Sequence, residues 1–247
     1  MPFRERLFAR LRPPAHWLAI ASPLGEALSL LAMLGFALVL LDRTLPPQHL
    51  PWRPLALADP IGIATRAKLL RANGRSCRAV LAGGGLSFRE TPPRQDGFCR
   101  LDDTLVLAPG GSLLRPASPL LRCREALAYA LWRRQVVEPE AARLLGSSVV
   151  AVEHYGSYAC RRRYGRTDTA VSEHAFANAL DVAAFRLADG RTIEVQRDWV
   201  ARSPKGEFLH RVRDGACRVF NGVLSPDYNA AHHNHLHLDM GGWTSCN

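Results

Sequence analysis

The sequence has very little lysine and lacks several common patterns. Of its 32 basic residues only Lys68 and Lys205 are lysines, and the remaining 30 are arginines. It has no Cys-x-x-Cys pair, no internal repeat and, with 19 glycines and 17 prolines in 247 residues, no low-complexity stretch. These absences exclude a thioredoxin-like motif, a thiolate metal site, a repeat protein and a disordered chain. The length excludes a large multidomain protein.

The formal net charge is +10, and it is spread along the chain. No basic stripe is interleaved with aromatic residues, so we expect no nucleic-acid partner. A strongly basic surface also suits an anionic membrane or a cell-wall polymer.

One segment has no charge at all. Residues 27–41 are apolar throughout, and Ser22-Pro23 just before them provides an N-cap followed by proline at the first helical position. The pattern predicts a helix over residues 23–41. At about 1.5 Å per residue this helix spans roughly 28 Å, close to the thickness of a bilayer core. We therefore expect a single transmembrane anchor.

The arginines around this anchor predict its orientation. Four precede it and two follow it closely: Arg4, Arg6, Arg10, Arg12, then Arg43 and Arg53. The positive-inside bias leaves residues 1–22 as a basic segment in the cytoplasm and exports the rest to the periplasm. Because no small-x-small site follows Leu41 closely, we expect an uncleaved anchor in the inner membrane.

Beyond the anchor, residues 42–59 are rich in proline and predict a linker, with a folded domain over residues 60–247. Helices are predicted over 61–72, 119–133, 139–145 and 206–220. Strands are predicted over 80–81, 86–88, 105–107, 148–152, 180–185, 192–195 and 233–238. The fold class is therefore α+β, with an antiparallel sheet and flanking helices.

All six cysteines lie beyond the anchor, an even number that is typical of disulfides in an oxidising compartment. Fifteen pairings of six cysteines are possible. Cys77 and Cys99 bracket one local hairpin-like segment, which favours joining these two.

Four of the nine histidines lie together between His232 and His237. In a strand His233, His235 and His237 would share one face, because alternate side chains point the same way. That face could hold a metal ion. A histidine-rich tract can also be fortuitous, so this pattern needs a second group of ligands.

His174 and Asp181 supply that second group. They are seven residues apart, and in one straight helix they would be about 10 Å from each other, too far to share an ion. A turn after His174 followed by a strand at Asp181 would bring them together. With His237 they form a set of three ligands that leaves a fourth position for water, the arrangement of a catalytic zinc.

These motifs resemble a known family. Ser172-x-His174-x-x-Ala177-x-Ala179-x-Asp181 and His235-x-His237 are similar to the two motifs of the D-alanyl-D-alanine metallopeptidase and lysostaphin-like superfamily. The runs 156–161, 172–185, 215–217 and 226–239 resemble the bacterial extensin-like C-terminal domain family. The resemblance covers residues 60–247 and implies a zinc peptidase fold that acts on peptidoglycan peptides.

The chain departs from the superfamily pattern at two positions. Ala177 replaces a glycine, and we expect this to alter only a packing contact. Asn234 stands where the carboxypeptidase branch has a glutamate base, and an amide cannot accept the proton. The endopeptidase branch uses the first histidine of H-x-H near the metal water, so the resemblance makes His235 a candidate base or transition-state stabiliser.

Two further roles follow from the resemblance. Arg161 is expected to hold a substrate carboxylate or the oxyanion, although in the run 161–163 it could equally be a solvated charge. Asp239 is a candidate to orient a ligand histidine. The expected function is a membrane-anchored periplasmic zinc peptidase that hydrolyses peptidoglycan cross-links. The alternative is a non-catalytic zinc domain that binds the cell wall or a partner.

Overall fold

The structure is a computed structural model that describes residues 23–247. It forms two compact units, which divide between Pro46 and Pro47. The predicted cytoplasmic segment 1–22 lies outside the described residues. The α-helices are α1 (Pro23–Thr44), α2 (Thr65–Arg71), α3 (Gly74–Gly83), α4 (Pro109–Ser112), α5 (Cys123–Trp132), α6 (Glu138–Leu145), α7 (Val195–Asp198) and α8 (Pro204–Ala216).

The first unit contains α1, which continues past the predicted end at Leu41 to Thr44. Its 22 residues extend over about 33 Å, and none of them is buried. The helix is long and apolar enough to cross a membrane, and its position near the N-terminus also fits a signal sequence.

The second unit begins inside the predicted linker. Leu50 and Leu57 are both buried in it. The Lys68 Nζ donates to the Pro47 carbonyl at 2.5 Å, and Gln135 Nε2 donates to the Leu57 carbonyl at 2.9 Å. This part of the proline-rich segment therefore packs against the folded unit.

Twelve strands occur among the described residues. They are β1 (Phe88–Glu90), β2 (Arg94–Asp96), β3 (Cys99–Leu101), β4 (Thr104–Leu107), β5 (Leu114–Arg115), β6 (Leu120–Arg122), β7 (Val149–Gly156), β8 (Ala179–Leu187), β9 (Thr192–Glu194), β10 (Gly222–Leu224), β11 (Leu236–Asp239) and β12 (Ser245–Cys246).

Seven of these strands form the main sheet, in the order β12-β10-β11-β8-β7-β5, with β9 paired to β8. The central pairs are antiparallel. The two edge pairs, β5 with β7 and β12 with β10, are parallel. Strands β1, β4 and β6 form a second sheet, and β2 with β3 a third. The predicted α+β class is confirmed, with parallel pairing added at both edges of the main sheet.

Helices α5 and α8 pack their apolar residues into one core with this sheet. Trp132 lies at its centre, with ring centroids 6.0 Å from Phe185 and 6.2 Å from Phe220. Its indole Nε1–H donates to the Val212 carbonyl in α8 at 2.8 Å, which satisfies the one polar atom of the buried ring. The core covers one face of the main sheet and holds it in place. The candidate site lies on the opposite face.

Two local predictions were wrong. Residues 80–81 lie in helix α3, because Asn73 caps a new helix rather than only ending the previous one: its side chain accepts from the Ser76 N–H, and Ser76 caps Asn73 in return. Residues 119–133 do not form one helix, since β6 pairs with β4 before α5 begins at Cys123. A helix cap in the first case, and strand pairing in the second, decided the structure against the local apolar pattern.

All six cysteines form disulfides, as their even number predicted. The pairs are Cys77–Cys123, Cys99–Cys160 and Cys217–Cys246. The predicted Cys77–Cys99 bond was wrong. Its premise was a local hairpin, but Cys77 lies on α3, which packs against α5 and so faces Cys123.

Candidate metal centre

Two antiparallel strands place an aspartate beside a histidine. Asp181 of β8 is the register partner of His237 of β11. Because side chains alternate along a strand, both point away from the core face of the sheet. The neighbours that occupy the core face are completely buried: Leu180, Val182, Leu236 and Leu238.

A single helical turn delivers the third residue. His174 lies in a 3-10 turn, Glu173–Phe176, that begins at Ser172, whose hydroxyl oxygen accepts from the His174 N–H at 3.4 Å. After Ala177 the chain enters β8. The turn and strand expected between His174 and Asp181 are both present, and they bring the two side chains together.

Ala177 has a left-handed backbone, with φ at +51°. Glycine adopts this conformation freely, whereas a residue with a Cβ does so at a cost of about 1–2 kcal/mol. We expected the alanine to change only a packing contact. That expectation was incomplete, because the position requires a backbone conformation that favours glycine.

The candidate ligand atoms converge closely. The Nε2 atom of His174 lies 3.2 Å from His237 Nδ1 and 3.2 Å from Asp181 Oδ2. His237 Nδ1 lies 2.9 Å from Asp181 Oδ1. The three residues form a group of possible metal ligands, with one atom of each within 4.8 Å of the others.

Both histidines are held by their other ring nitrogen. His174 Nδ1 lies 3.0 Å from the Ser157 carbonyl oxygen, which can only accept, so Nδ1 donates there and Nε2 is the nitrogen that faces the cluster. His237 Nε2 lies 3.0 Å from Asp239 Oδ2, so it donates there and can present Nδ1. This agrees with the orienting role expected of Asp239. Such outer hydrogen bonds are typical of metal-binding histidines.

The charges in the group are strongly coupled. Burial alone would raise the pKa of Asp181, but the hydrogen bonds and charges of His174 and His237 hold this pKa well below its usual range. Burial would lower the pKa of His237, but its hydrogen bonds to Asp181 and Asp239 raise this pKa to about 9. A proton on His237 Nδ1 can therefore compensate the negative charge of Asp181 when no cation is bound.

The donor set fits a divalent cation. Two imidazole nitrogens and one carboxylate oxygen face one point, and none of the three side chains is more than slightly exposed. Zinc takes such ligands, and so do other transition metals, since imidazole and carboxylate do not select one ion.

His235 lies just before β11 and faces the same cleft. Its Nε2 atom is 3.5 Å from Asp181 Oδ1, and its Nδ1 is 2.8 Å from the amide oxygen of Asn234. Since that oxygen only accepts, Nδ1 carries the proton and Nε2 is free. Burial lowers the pKa of His235 below its usual value, so the ring is neutral at neutral pH. Asn234 therefore orients the ring of His235.

The predicted strand 233–238 was too long at its start, because β11 begins at Leu236. His233 is exposed, and its Nδ1 bonds the Ala230 carbonyl at 2.8 Å, so it does not share a face with His235 and His237. His232 lines the cleft instead, held by Asn229 Oδ1 at 2.8 Å. Strand alternation could not predict this, because the residue precedes the strand.

The residues above line a cleft of about 220 Å³. Arg161 lies on its wall, exposed, and within the described residues its guanidinium makes no hydrogen bond or ion pair. The structure thus places Arg161 at the candidate site without assigning it a contact.

A further carboxylate is completely buried close to the cluster. Glu125, in the first turn of α5, has no hydrogen-bond partner on either oxygen among the described residues. Burial, and then the charges of Asp239, Glu173 and Asp181, raise the pKa of Glu125 well above its usual range. The sequence does not reveal this residue, because nothing in a helical pattern distinguishes a buried glutamate from a solvated one.

The Ser157 carbonyl that holds His174 is likewise not predictable from the sequence. Ser157 follows directly after β7, within the run 156–161 on which the resemblance rests. The motif could have pointed to the segment, but no residue type predicts a backbone contact.

The fold and this site define an α+β, disulfide-linked domain with a histidine and aspartate cluster on one face of the main sheet. The family model for the extensin-like protein C-terminus matches residues 75–247, so the chain belongs to this family. The match confirms the resemblance to this family. No curated protein and no solved structure matches the chain.

The ionisation of Glu125 gives a prediction for stability. Because its folded-state pKa is raised, its favourable contribution is complete below its ordinary value of 4.5 and is lost as the pH rises toward the folded-state value. Glu125→Gln removes this loss. Relative to wild type, the variant should gain about 1.4 kcal/mol in free energy of unfolding for each pH unit in that window.

Urea unfolding at several pH values, with a chelator present, measures this difference. Glu207→Gln is the matched control, since Glu207 lies in the first turn of α8 but is exposed. Its stability should follow wild type at every pH. Parallel curves for Glu125→Gln and wild type would contradict a raised pKa.

Proposed function

We propose that this protein is a membrane-anchored periplasmic zinc peptidase that hydrolyses peptide bonds of peptidoglycan cross-links. The observation that carries the proposal is the convergence of His174, Asp181 and His237, with the outer nitrogen of each histidine already bonded. Family membership supports a shared fold, and the motif resemblance to zinc peptidases supports the chemistry.

The three converging residues would hold the zinc ion. When bound, zinc lowers the pKa of a coordinated water and polarises the scissile carbonyl. Ser157 and Asp239, each 3.0 Å from a ring nitrogen, would keep the ligand rings in the tautomers that zinc requires. Without those contacts each ring could rotate and present its protonated nitrogen.

His235 is the general base of this proposal. Its Nε2 atom is unprotonated, faces the carboxylate of Asp181 and is held in place through the bond from Nδ1 to Asn234. A lowered pKa keeps the ring neutral, and therefore able to accept a proton, at the pH of the periplasm. Arg161, on the wall of the cleft, would bind the oxyanion.

Asn234 also supports the competing function, a zinc domain that binds the cell wall or a partner without hydrolysis. An amide cannot replace a glutamate base, so hydrolysis depends on His235 alone. A test of the proposal must therefore separate metal binding from turnover.

The apolar helix α1 supports the location. Its 22 residues suffice for one membrane crossing, and the arginines before it favour a cytoplasmic N-terminus. The three disulfides suit the oxidising periplasm.

Metal content and turnover should separate at the two histidines of the H-x-H motif. His237→Ala loses a ligand, so we expect loss of bound zinc and of all activity. His235→Ala keeps the ligand set, so zinc should remain while turnover falls by roughly 100-fold or more. The full chain in detergent is assayed for zinc, and for muropeptide products by mass spectrometry.

His233→Ala is the control, because His233 is exposed and bonds outside the cleft. It should keep both zinc and activity. A chelator should abolish products from wild type, and added zinc should restore them. If wild type holds zinc but yields no product, the protein is a non-catalytic zinc domain and the peptidase proposal is wrong.

Asn234 should act through His235. Asn234→Ala removes the acceptor for Nδ1–H, so turnover should fall roughly 10-fold while zinc content stays unchanged. Asn234→Asp keeps an acceptor at the same place and should retain more activity than the alanine variant. Equal activity of Asn234→Ala and wild type, in the same muropeptide assay, would remove Asn234 from the mechanism.

The proposed location predicts an intact chain in the inner membrane. A reporter active only in the periplasm, fused after Asn247, should be active and should sediment with membranes. Mass measurement should give the uncleaved chain. A soluble, shortened periplasmic product would instead identify α1 as a signal sequence.

A further inference from the structure

The loop that follows Cys160 contains paired and unpaired arginines. Arg162 donates to the Thr169 carbonyl at 2.7 Å, and Arg166 pairs with Asp168 at 2.8 Å. Arg163 has no hydrogen bond or ion pair on its guanidinium within the part of the chain described; its contact is with the ring of Trp243, 5.3 Å from the centroid. It lines the same cleft as the histidine cluster.

The backbone of Arg163 is fixed on both sides. Its N–H donates to the Ala170 carbonyl at 2.9 Å, and its carbonyl accepts from the Thr169 hydroxyl at 2.7 Å. A bridge between Arg162 and Val171 closes the loop. The unpaired cation is therefore carried by an ordered turn rather than by a free loop tip.

Trp243 is anchored as well. It is half-buried, two residues before Ser245, whose N–H donates to the Asn221 carbonyl at 2.9 Å, and three before Cys246, which is bonded to Cys217. An indole face attracts a guanidinium and orients it, while the N–H groups at the edge of the guanidinium stay available.

Three carboxylates line the cleft, those of Glu173, Asp181 and Asp239, and none of them forms an ion pair with Arg163 in the part of the chain that the structure describes. Each is engaged by another side chain. An oriented guanidinium without a protein partner is suited to a carboxylate, which it can bind through two parallel hydrogen bonds. The partner must then come from the ligand.

We propose that Arg163, held against Trp243, is a specificity residue that binds a carboxylate of the ligand, so that the cleft selects peptides with a free carboxylate near the bond at the histidine cluster. This inference rests on the proposed function, since it names the substrate class of that site. The carboxylate is either the C-terminus of the peptide or an acidic side chain.

Binding without turnover tests this. The full chain in detergent, with a chelator present, is titrated by calorimetry with a synthetic peptidoglycan stem peptide in three forms: free acid, C-terminal amide, and free acid with amidated side chains. Wild type should bind the free acid at least about 10-fold more tightly than one of the two amidated forms, as expected for a charge-assisted bond. The form that loses affinity identifies the source of the carboxylate.

Three variants distinguish carboxylate binding by Arg163 from a general effect of removing a positive charge from the loop. Arg163→Gln should reduce the ratio between free acid and the weaker amide to about 1, and Arg163→Lys should keep part of it, because lysine keeps the charge without the fork. Arg166→Gln is the control in the same loop and should keep the wild-type ratio. The ratio is informative even if a variant loses some folded protein.

Two results overturn the inference: a wild-type ratio near 1 for both amides, or a full ratio in Arg163→Gln. Failure of this inference is distinguishable from failure of the proposed function. Selective binding of the free acid without any zinc-dependent product would end the peptidase proposal but keep the carboxylate site at Arg163. Cleavage without carboxylate selection would keep the peptidase proposal and end the inference about Arg163.

Discussion

The pairing of β8 with β11 is the constraint on which the candidate site depends. It sets Asp181 directly opposite His237 and turns both away from a core face filled by leucine and valine. A shift of either strand by one residue would send that strand's ligand side chain into the core and bring a leucine or valine to the cleft. The register is therefore specified by the same burial that stabilises the sheet. The site needs no separate device to bring these two residues together.

Around this pair the protein places charges that would be costly if left alone. The low pKa of Asp181 and the raised pKa of His237 describe one coupled group, in which an imidazolium or a cation compensates the buried carboxylate. Burial raises the pKa of Glu125, which favours its neutral form and lessens the same cost. A metal bound at this group would replace a proton, so metal affinity and protonation compete there.

Loop residues position the remaining side chains of the candidate site. Ser172 and Ala177 shape the turn that carries His174, and Asn234 fixes a ring on the opposite side. The disulfides tie the segments that carry Arg163 and Trp243 to the folded unit. Rigid loops around a strand-based cluster suit a site that must recognise a ligand beside a reacting bond.

Several features of the fold and the site were predictable from local patterns, which depend only on neighbours in sequence. Periodicity predicts the apolar helix α1 and the central strands, and turn geometry predicts that His174 and Asp181 come together. The disulfide prediction was wrong for a different reason, since it depended on contacts between segments far apart in the chain. The pairing of Cys77 depended on how α3 packs on α5, and the cleft position of His232 depended on where β11 begins.

The sequence alone determined which residue types could bind a metal, which segment could enter a membrane and which family the chain resembles. The tertiary structure decided the disulfide partners, the bonds from Ser157, Asn234 and Asp239 that orient the histidines, and the contact that holds Arg163 against Trp243. These depend on contacts between segments far apart in the chain, and their distances are set by packing of the whole core, which no local pattern encodes.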